Sequence, residues 1–340
     1  MATDVVLTPQ KRDFDDDVAG LIHGYLFSPD ALPVRLNARE AVKLGEHLPD
    51  DGFLWLHINL NHARAQHWVQ SHFQVDDDFF DEIHSASPRT RLAEQSSALL
   101  AVLNDVTLNQ ENRSTQNATL WIWCRRNLVV SARYRPSVMI EKMQQRLARH
   151  SFPSAEALLL YLLGEQESQL EQVVRRISQV VDNIEERLLS PAIKANRSEL
   201  GHYRRMLLRI QRLLAPEPAA LFRLLNRPPA WLNHDTLREL RAFTEEFSVV
   251  LNDLASLMER IRLLQEEIAA RLMEQSNRTL YLLTVITVLA LPINIVAGFF
   301  GMNVGGIPLA ANPHGFLLLV LIVIAFTLLA GWLALRRPSV

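Results

Sequence analysis

The 340-residue chain has a single cysteine, Cys124, so an intrachain disulfide framework and a cysteine-rich zinc fold are both excluded. It also lacks an excess of either charge. Thirty-five basic residues against 37 acidic ones leave a formal net charge of -2, which argues against a nucleic-acid binder working through bulk positive charge. Glycine and proline are ordinary at 12 and 16, too few for a collagen-like or largely disordered chain. There is no phosphate-cradling glycine loop, no HExxH helix and no nucleophile elbow, so the common enzyme and nucleotide-binding signatures are missing. No nucleotide or nucleic-acid partner is expected. The most informative absence is local. From Thr279 to Leu335 there is no Asp, Glu, Lys or Arg.

All 72 charged residues therefore lie outside a charge-free stretch. Inside it are two apolar runs, Leu280–Phe300 with 21 residues and Phe316–Leu335 with 20. A helix needs about 20 apolar residues to cross a hydrocarbon core of about 30 Å, and both runs qualify. Arg271 and Arg278 precede the first run, Arg336 and Arg337 follow the second, and the loop 301–315 has no Lys or Arg. The positive-inside bias then places both termini in the cytoplasm and the loop outside. Met1–Asp17 is polar and acidic, without the apolar core of a signal peptide. The expected protein is a multi-pass protein of the cytoplasmic (inner) membrane, in contact with lipid.

Upstream, residues 1–150 read as a cytoplasmic α/β domain with a partly parallel sheet. Gly20–Phe27, Gly52–Leu60, Ala98–Leu108, Thr119–Cys124 and Leu128–Arg133 are strand candidates, Ala63–Phe73 has helical spacing, and the polar stretch Asn109–Asn117 reads as a hairpin connection. Residues 151–278 form a helical stalk: Ser154–Leu189, Ser198–Leu225 interrupted at Pro216 and Pro218, then a third helix capped by Asp235. That helix meets no proline before Pro292, so Thr236–Phe300 reads as essentially one helix, about 100 Å long. Residues 279–340 are the two-helix membrane domain. The overall class is an α+β membrane protein.

Two stripes run along the long helix. Leu240, Phe243, Phe247, Val250, Leu254, Leu257, Ile261, Leu264 and Ile268 alternate intervals of three and four, a packing seam for a helix bundle. The second stripe is polar. Asn277, Thr284, Thr287 and Asn294 share one face, completed by Leu280, Leu291 and Gly298, and stepping back by sevens it reads Met273, Glu266, Glu259, Asn252 and Glu245. Polar groups in a membrane helix face protein or water rather than lipid. Two arrangements meet that demand. One is a solvated stalk face continuing into hydrogen-bonding residues buried between membrane helices. The other is a symmetric oligomer with this face lining a pore. In the pore, Asn294, Thr287 and Thr284 present neutral oxygens and amides, and Leu291 and Leu280 form apolar constrictions. Glu266 and Glu259 make acidic rings at the cytoplasmic vestibule, beside Met273. No carboxylate stands in the membrane to strip water from a divalent ion, so the ion is expected to cross largely hydrated.

The first run ends in Gly301-Met302-Asn303. A GMN tripeptide at the outer end of the first of two C-terminal spans, after a stalk helix, resembles the CorA family of divalent-metal transporters. The resemblance implies a funnel-shaped homopentamer with the first span lining the pore. It implies that Asn303 stands in a ring at the entrance with Gly301 and Met302 and binds the hydrated ion. It also assigns gate positions to Leu280, Thr287, Leu291 and Asn294. After GMN the loop continues Val304-Gly305-Gly306-Ile307-Pro308, without the acidic residue that many magnesium-transporting members carry. This continuation is similar to the zinc-transporting ZntB branch. It implies uptake of Zn2+ coupled to H+, with a magnesium, cobalt or nickel channel, or zinc efflux, as the alternatives. A membrane-anchored scaffold is the competing class, but it needs neither the polar stripe nor GMN.

Other metal-like features carry less. His57, His62, His67 and His72 recur every five residues, about 140° apart on a helix, so they share no face. The last three are expected on the surface of one helix. Asp76-Asp77-Asp78 with Asp81 and Glu82 reads as a solvated acidic run, with a regulatory cation patch as the other reading. His314, in the loop 301–315, reads as a solvated loop histidine, with a proton-sensing role as the other reading.

Overall fold

A computed structural model describes residues 19–29, 31–48, 51–85, 91–95, 98–109, 114–189, 197–302 and 313–336. The chain divides into two compact units, residues 1–264 and 265–340.

The first unit opens with β1 (Leu21–Phe27), β2 (Val34–Leu36), α1 (Ala38–Gly45), β3 (Phe53–Asn59), α2 (Ala65–Phe73) and α3 (Asp77–His84). It continues with β4 (Arg91–Gln95), β5 (Ala98–Asn109), β6 (Ser114–Arg125), β7 (Leu128–Arg133) and α4 (Val138–Leu147). The seven strands make one sheet in the order β2-β1-β3-β7-β6-β5-β4. Among the described residues only β3 and β7 pair in parallel, with Leu54 opposite Leu128 and Ile58 opposite Ala132; the other pairs are antiparallel. The expected partly parallel sheet is therefore a mainly antiparallel one with a single parallel join, made by the chain that runs from β3 out to the far edge and back to β7.

Strand β3 is buried along almost its whole length, which requires cover on both faces. On one face Leu54, Leu56, Ile58, Val130 and Ala132 pack in a common core with Ala41, Val69, Phe73, Phe79 and Ile83 from α1 to α3. On the other face the Phe27 and Phe53 rings stack at 4.4 Å, and Phe27 meets Phe152 at 6.1 Å.

Sequence periodicity located β1, β3, β5, β7 and α2 to within a few residues. Where it erred, pairing decided. β5 and β6 extend to Asn109 and back from Ser114, so the polar stretch 109–117 is mostly strand. Polar residues there still satisfy the ladder, because register depends on backbone pairing as well as on side-chain pattern. Helices α1, α3 and α4, and strands β2 and β4, were not expected. Helix α1 announces itself with a capping box: Asn37 Oδ1 accepts from Glu40 N–H, and the Glu40 carboxylate accepts from Asn37 N–H, both at 2.9 Å.

The helical part follows the sequence closely. α5 spans Ala155–Leu189, α6 Arg197–Leu214, α7 Glu217–Asn226 and α8 His234–Phe300. The break at Pro216 separates α6 from α7, as its sequence demands. The cap of α8 is Asn233, not Asp235. Asn233 Oδ1 accepts from Thr236 N–H at 2.7 Å, while Asp235 sits inside the first turn and pairs with Arg238. Asn233 Nδ2 also donates to Glu156 Oε2 at 2.9 Å, and Thr236 Oγ1 donates to the same oxygen at 2.8 Å. The start of α8 is thus tied to the first turn of α5 through a buried carboxylate. Every seam residue from Leu240 to Leu264 is buried, and so is Ile268. Arg260 reaches from α8 to Asp182 at 2.6 Å and to Glu185 on α5, and its Nε lies 3.0 Å from Glu185.

The second unit contains the end of α8 and α9 (Gly315–Arg336). α8 remains helical through Pro292 and includes a stretch long and apolar enough to cross a membrane. α9 is a 22-residue helix without a charged residue before Arg336.

The seam makes a direct prediction. Phe247 is fully buried. Phe247→Ala leaves a cavity and is expected to cost about 3–5 kcal/mol, read as a lowered melting temperature of the full-length protein in detergent.

Candidate functional site

In the second unit, Asn277, Leu280, Thr284, Thr287, Leu291, Asn294 and Gly298 all lie on α8 and are all exposed in the single chain. Exposure alone does not distinguish them, since most of this segment is exposed. The half-buried positions do. Val285, Leu289, Ile293 and Val296, with Ala290 and Pro292, form the covered side of the span. At about 100° per residue, the polar stripe lies roughly opposite to them. The face carrying the polar groups is therefore not the one the chain covers for itself. A row also exists on α9, where Gly315, Leu319, Val320, Val323 and Thr327 are the more buried positions.

The threonines are held in place locally. Thr284 Oγ1 donates to Leu280 O, and Thr287 Oγ1 to Leu283 O, each at 2.9 Å. Each hydroxyl hydrogen is thus used along the helix, and the oxygen lone pairs point outward as acceptors. An acceptor is the appropriate partner for a cation or for the water around it. A side chain built at Gly298 would meet nothing within 4 Å, so this face of the single chain stays open toward its C-terminal end.

At that end the helix closes tightly. Gly301 N–H donates to Ala297 O at 2.9 Å and Met302 N–H to Phe299 O at 3.4 Å. Met302 is exposed. Asn303 and the Val304–Pro308 continuation lie outside the described residues. His314 is exposed and immediately precedes α9, whose Leu318 N–H donates to the His314 carbonyl at 3.1 Å.

Toward the N-terminal end of the stripe, Met273 and Glu266 are exposed on the second unit's part of α8. On the first unit's part, Glu259, Asn252 and Glu245 follow at seven-residue steps, also exposed. Glu259 does not stand alone. Arg262 Nε donates to Glu259 Oε2 at 2.9 Å and Arg262 Nη2 to Oε1 at 2.5 Å, a bidentate pair. That hydrogen bonding holds the Glu259 carboxyl below the usual range. A ring built from this position presents paired charge rather than bare carboxylate. The i,i+3 spacing of Glu259 and Arg262, which places them on one helix face, is visible in the sequence.

The histidines do not converge. His57 is on β3 and fully buried, His62 precedes α2, and His67 and His72 are exposed on it. His62 is thus in a turn, not on the helix with the other two. His72 Nδ1 lies 2.8 Å from Trp68 O and His67 Nε2 3.5 Å from Ser71 Oγ. The acidic run opens α3. Asp76 Oδ2 accepts from Trp123 Nε1 at 3.1 Å, Asp77 Oδ1 from Gln70 Nε2 at 2.6 Å, and Glu82 pairs with Arg91 at 2.7 Å. Among the described residues, no group of three or more His, Cys, Asp or Glu is placed to hold a metal ion.

His57 belongs to a closed network. Arg133 Nε donates to His57 Nε2 at 3.0 Å, so Nδ1 carries the hydrogen and donates to Ser131 Oγ at 2.8 Å. Ser131 Oγ also accepts from Trp55 Nε1 at 2.8 Å and donates to Leu56 O at 3.3 Å. Burial, His23 and Arg133 together push the His57 pKa well below its ordinary value. Burial likewise pushes the Cys124 thiol up, which leaves it a buried, unreactive thiol.

An α/β body, a seam-packed stalk helix and a helical stretch long and apolar enough to cross a membrane define the class of a membrane-anchored protein with a large water-exposed part. The chain belongs to the family of CorA-like Mg2+ transporter proteins, which matches it over residues 50–337. It is 28% identical over 323 residues to the divalent cation transporter CmaX of Pseudomonas aeruginosa, covering 94% of this chain and 97% of that one. It is 24% identical over 279 residues to the zinc transport protein ZntB of Yersinia enterocolitica, covering 82% and 85%. The structure of full-length CmaX superposes with a TM-score of 0.80 at 27% identity, over 94% of this chain and 98% of that one. The complete CorA magnesium transporter from Methanocaldococcus jannaschii gives 0.76 at 16% identity, over 93% and 98%, which shows a common fold.

The His57 network predicts a pH dependence. Its native pKa lies below the unfolded value of about 6.5, so its contribution is complete above that value. The contribution falls as pH drops below it, because the unfolded chain takes up a proton the native state refuses. The slope from this residue reaches at most about 1.4 kcal/mol per pH unit. Denaturation of the full-length protein between pH 7 and pH 5 should show a shallower acid loss for His57→Gln than for the parent.

Proposed function

We propose that the chain is a divalent-cation transporter of the inner membrane that assembles as a homopentamer around the first span, with zinc as its cargo. The observation that carries this reading is the placement of the polar stripe opposite the covered side of α8. A stripe of Asn and Thr facing hydrocarbon would be costly, and a second copy of the same helix, with water between, removes that cost. The charge-free run at α9 serves as a second span, so both termini are cytoplasmic and the loop 301–315 is outside.

In this arrangement Gly301, Met302 and Asn303 surround the entrance, and Asn303 binds the hydrated ion through its side-chain amide. Asn294, Thr287, Thr284 and Asn277 offer oxygens and amides along the path. Leu291 and Leu280 close it when dewetted. Met273, Glu266 and Glu259 lie at the cytoplasmic vestibule. The pore supplies no membrane carboxylate, so the ion keeps much of its water. No nucleotide is needed: the membrane potential or a coupled H+ drives the flux, inward in the leading reading.

Zinc is favoured by the Val-Gly-Gly-Ile-Pro continuation and by relatives named as zinc transport proteins. A magnesium, cobalt or nickel channel is the second reading, supported by the relative named as a divalent cation transporter and by the family's own description. Zinc efflux by the same path is the third.

Purified protein in liposomes is expected to move Zn2+ into a dye-loaded lumen, faster with a pH gradient, and Mg2+ competition at equal concentration should be weak. Flux of Mg2+ that Zn2+ does not compete with would transfer the reading to the magnesium channel, and no flux of any divalent ion would end it. Hydrogen bonds to charged groups contribute about 1.5–3 kcal/mol each, so Asn303→Ala should cut the initial rate by about tenfold or more. In the vestibule, Arg262→Gln frees the Glu259 carboxylates and should raise the rate at low ionic strength, an effect that salt abolishes.

A further inference from the structure

A homopentamer makes a specific demand on its chain. A five-fold ring contains no two-fold contact, so each interface joins two different faces, and every copy must carry both. The first unit carries two such faces, of opposite charge.

The basic face is on α6. Arg205, Arg209 and Arg212 follow at intervals of four and three, so they share one side of the helix, and all three are exposed. The buried side chains of Leu200, Tyr203, Leu207, Ile210 and Leu214 occupy the opposite side. Among the described residues, none of the three arginines has an ion-pair or hydrogen-bond partner.

The acidic face is a groove between α5 and α8, about 510 Å³ in volume, with Val174, Val250 and Leu257 along its floor. Glu171 and Asp182 line it from α5, and Arg175 and Arg260 match their charges within the chain. Asp253 lines it from α8, and Glu246 stands one heptad earlier on the same side of that helix. Glu167, Glu246 and Asp253 have no ion-pair partner among the described residues. The crowding is real: burial, Glu246 and Glu171 together push the Glu167 carboxyl above its usual range. The chain leaves three carboxylates along this groove unmatched.

The two faces agree in length as well as in sign. Arg205 to Arg212 and Glu246 to Asp253 each span seven residues, about 10 Å of helix. They also border different flanks of α8. The exposed side of α8 carries Val249, Ser256 and Leu263, with Ser256 lining the groove. On the other flank is Glu259, whose carboxyl is held down by Arg262 and also by Arg204 of α6. Faces on opposite flanks are what a head-to-tail ring needs.

We propose that the acidic groove between α5 and α8 of one copy receives the arginine face of α6 from the next copy, and that this contact repeats around the ring. This rests on the homopentamer reading and adds the surface that closes the ring. Each guanidinium fork meets a carboxylate that the chain itself leaves unmatched. Exposed pairs contribute little singly, so their role is to set which faces meet and in what direction.

The test is crosslinking of full-length protein in detergent. Cys124 is buried, so introduced cysteines carry the signal. Asp253→Cys and Arg209→Cys are placed on differently tagged copies, co-expressed and treated with a short bis-maleimide. A mixed dimer is expected, with either variant crosslinking poorly to itself, and the double variant should give a ladder reaching five chains. Reversing Arg205, Arg209 and Arg212 to Glu together should weaken assembly on dilution at low salt about tenfold or more, read by light scattering. Adding Glu246→Arg and Asp253→Arg should restore it. A pentameric parent without the mixed crosslink, or with assembly unchanged by the triple reversal, overturns this contact and leaves the homopentamer standing. Weakening that the second reversal does not restore gives the arginine face to another occupant and also overturns it. A monomeric parent overturns both readings.

Discussion

The cost of placing a charge or an unsatisfied polar group in hydrocarbon organises this protein. It confines all 72 charged residues to the segments outside Thr279–Leu335. It also confines the threonines and the asparagine of the first apolar run to one side of α8, away from the positions the chain covers for itself. Backbone hydrogen bonding in that run is internal to the helix, and the threonine hydroxyls donate to carbonyls one turn back. What is left pointing outward is a set of acceptors and amides. A helix with that pattern is stable in a bilayer only when the face meets protein or water.

The water-exposed part is held by a different balance. Packing of Leu240 through Leu264 on α8 is apolar and regular, and it sets how the stalk helices meet. Specific ties sit at its ends and middle: the Glu156 carboxylate shared by Asn233 and Thr236, and Arg260 bridging to Asp182 and Glu185. The sheet below is covered on both faces. Among its buried polar groups, His57 and Ser131 are satisfied in a closed chain of donors and acceptors, which keeps a histidine neutral inside a core. That chemistry suits a scaffold and is poorly suited to metal binding, since both ring nitrogens are already engaged.

Charge along α8 illustrates how a local pair alters a long-range pattern. Counting by sevens brings Glu259 and Glu266 into one line and implies acidic rings. Arg262 lies within the same turn as Glu259 and takes both of its oxygens. The field a cation would meet at Glu259 is that of a paired group, while Glu266 lies one heptad further along.

Much of this was legible from residues alone. The absence of charge marked the membrane segment. Periods of two and 3.6 marked most strands and the long helices, Pro216 marked a break, and GMN after a stalk marked the family. These signals are local, or repeat along one element, and so survive in a linear reading. The order of the strands, the single parallel pair β3–β7, the choice of Asn233 over Asp235 as cap and the burial of His57 were not legible. Each depends on a partner far away in sequence: Ser131 and Arg133 lie more than 70 residues from His57, and Glu156 about as far from Asn233. The opposition between the polar stripe and the covered side of α8 combines both kinds of information. The sequence determined which residues share the stripe, because helix geometry is periodic. Only the tertiary structure decided which side of the helix is covered, because coverage comes from neighbours that no spacing along the helix can specify.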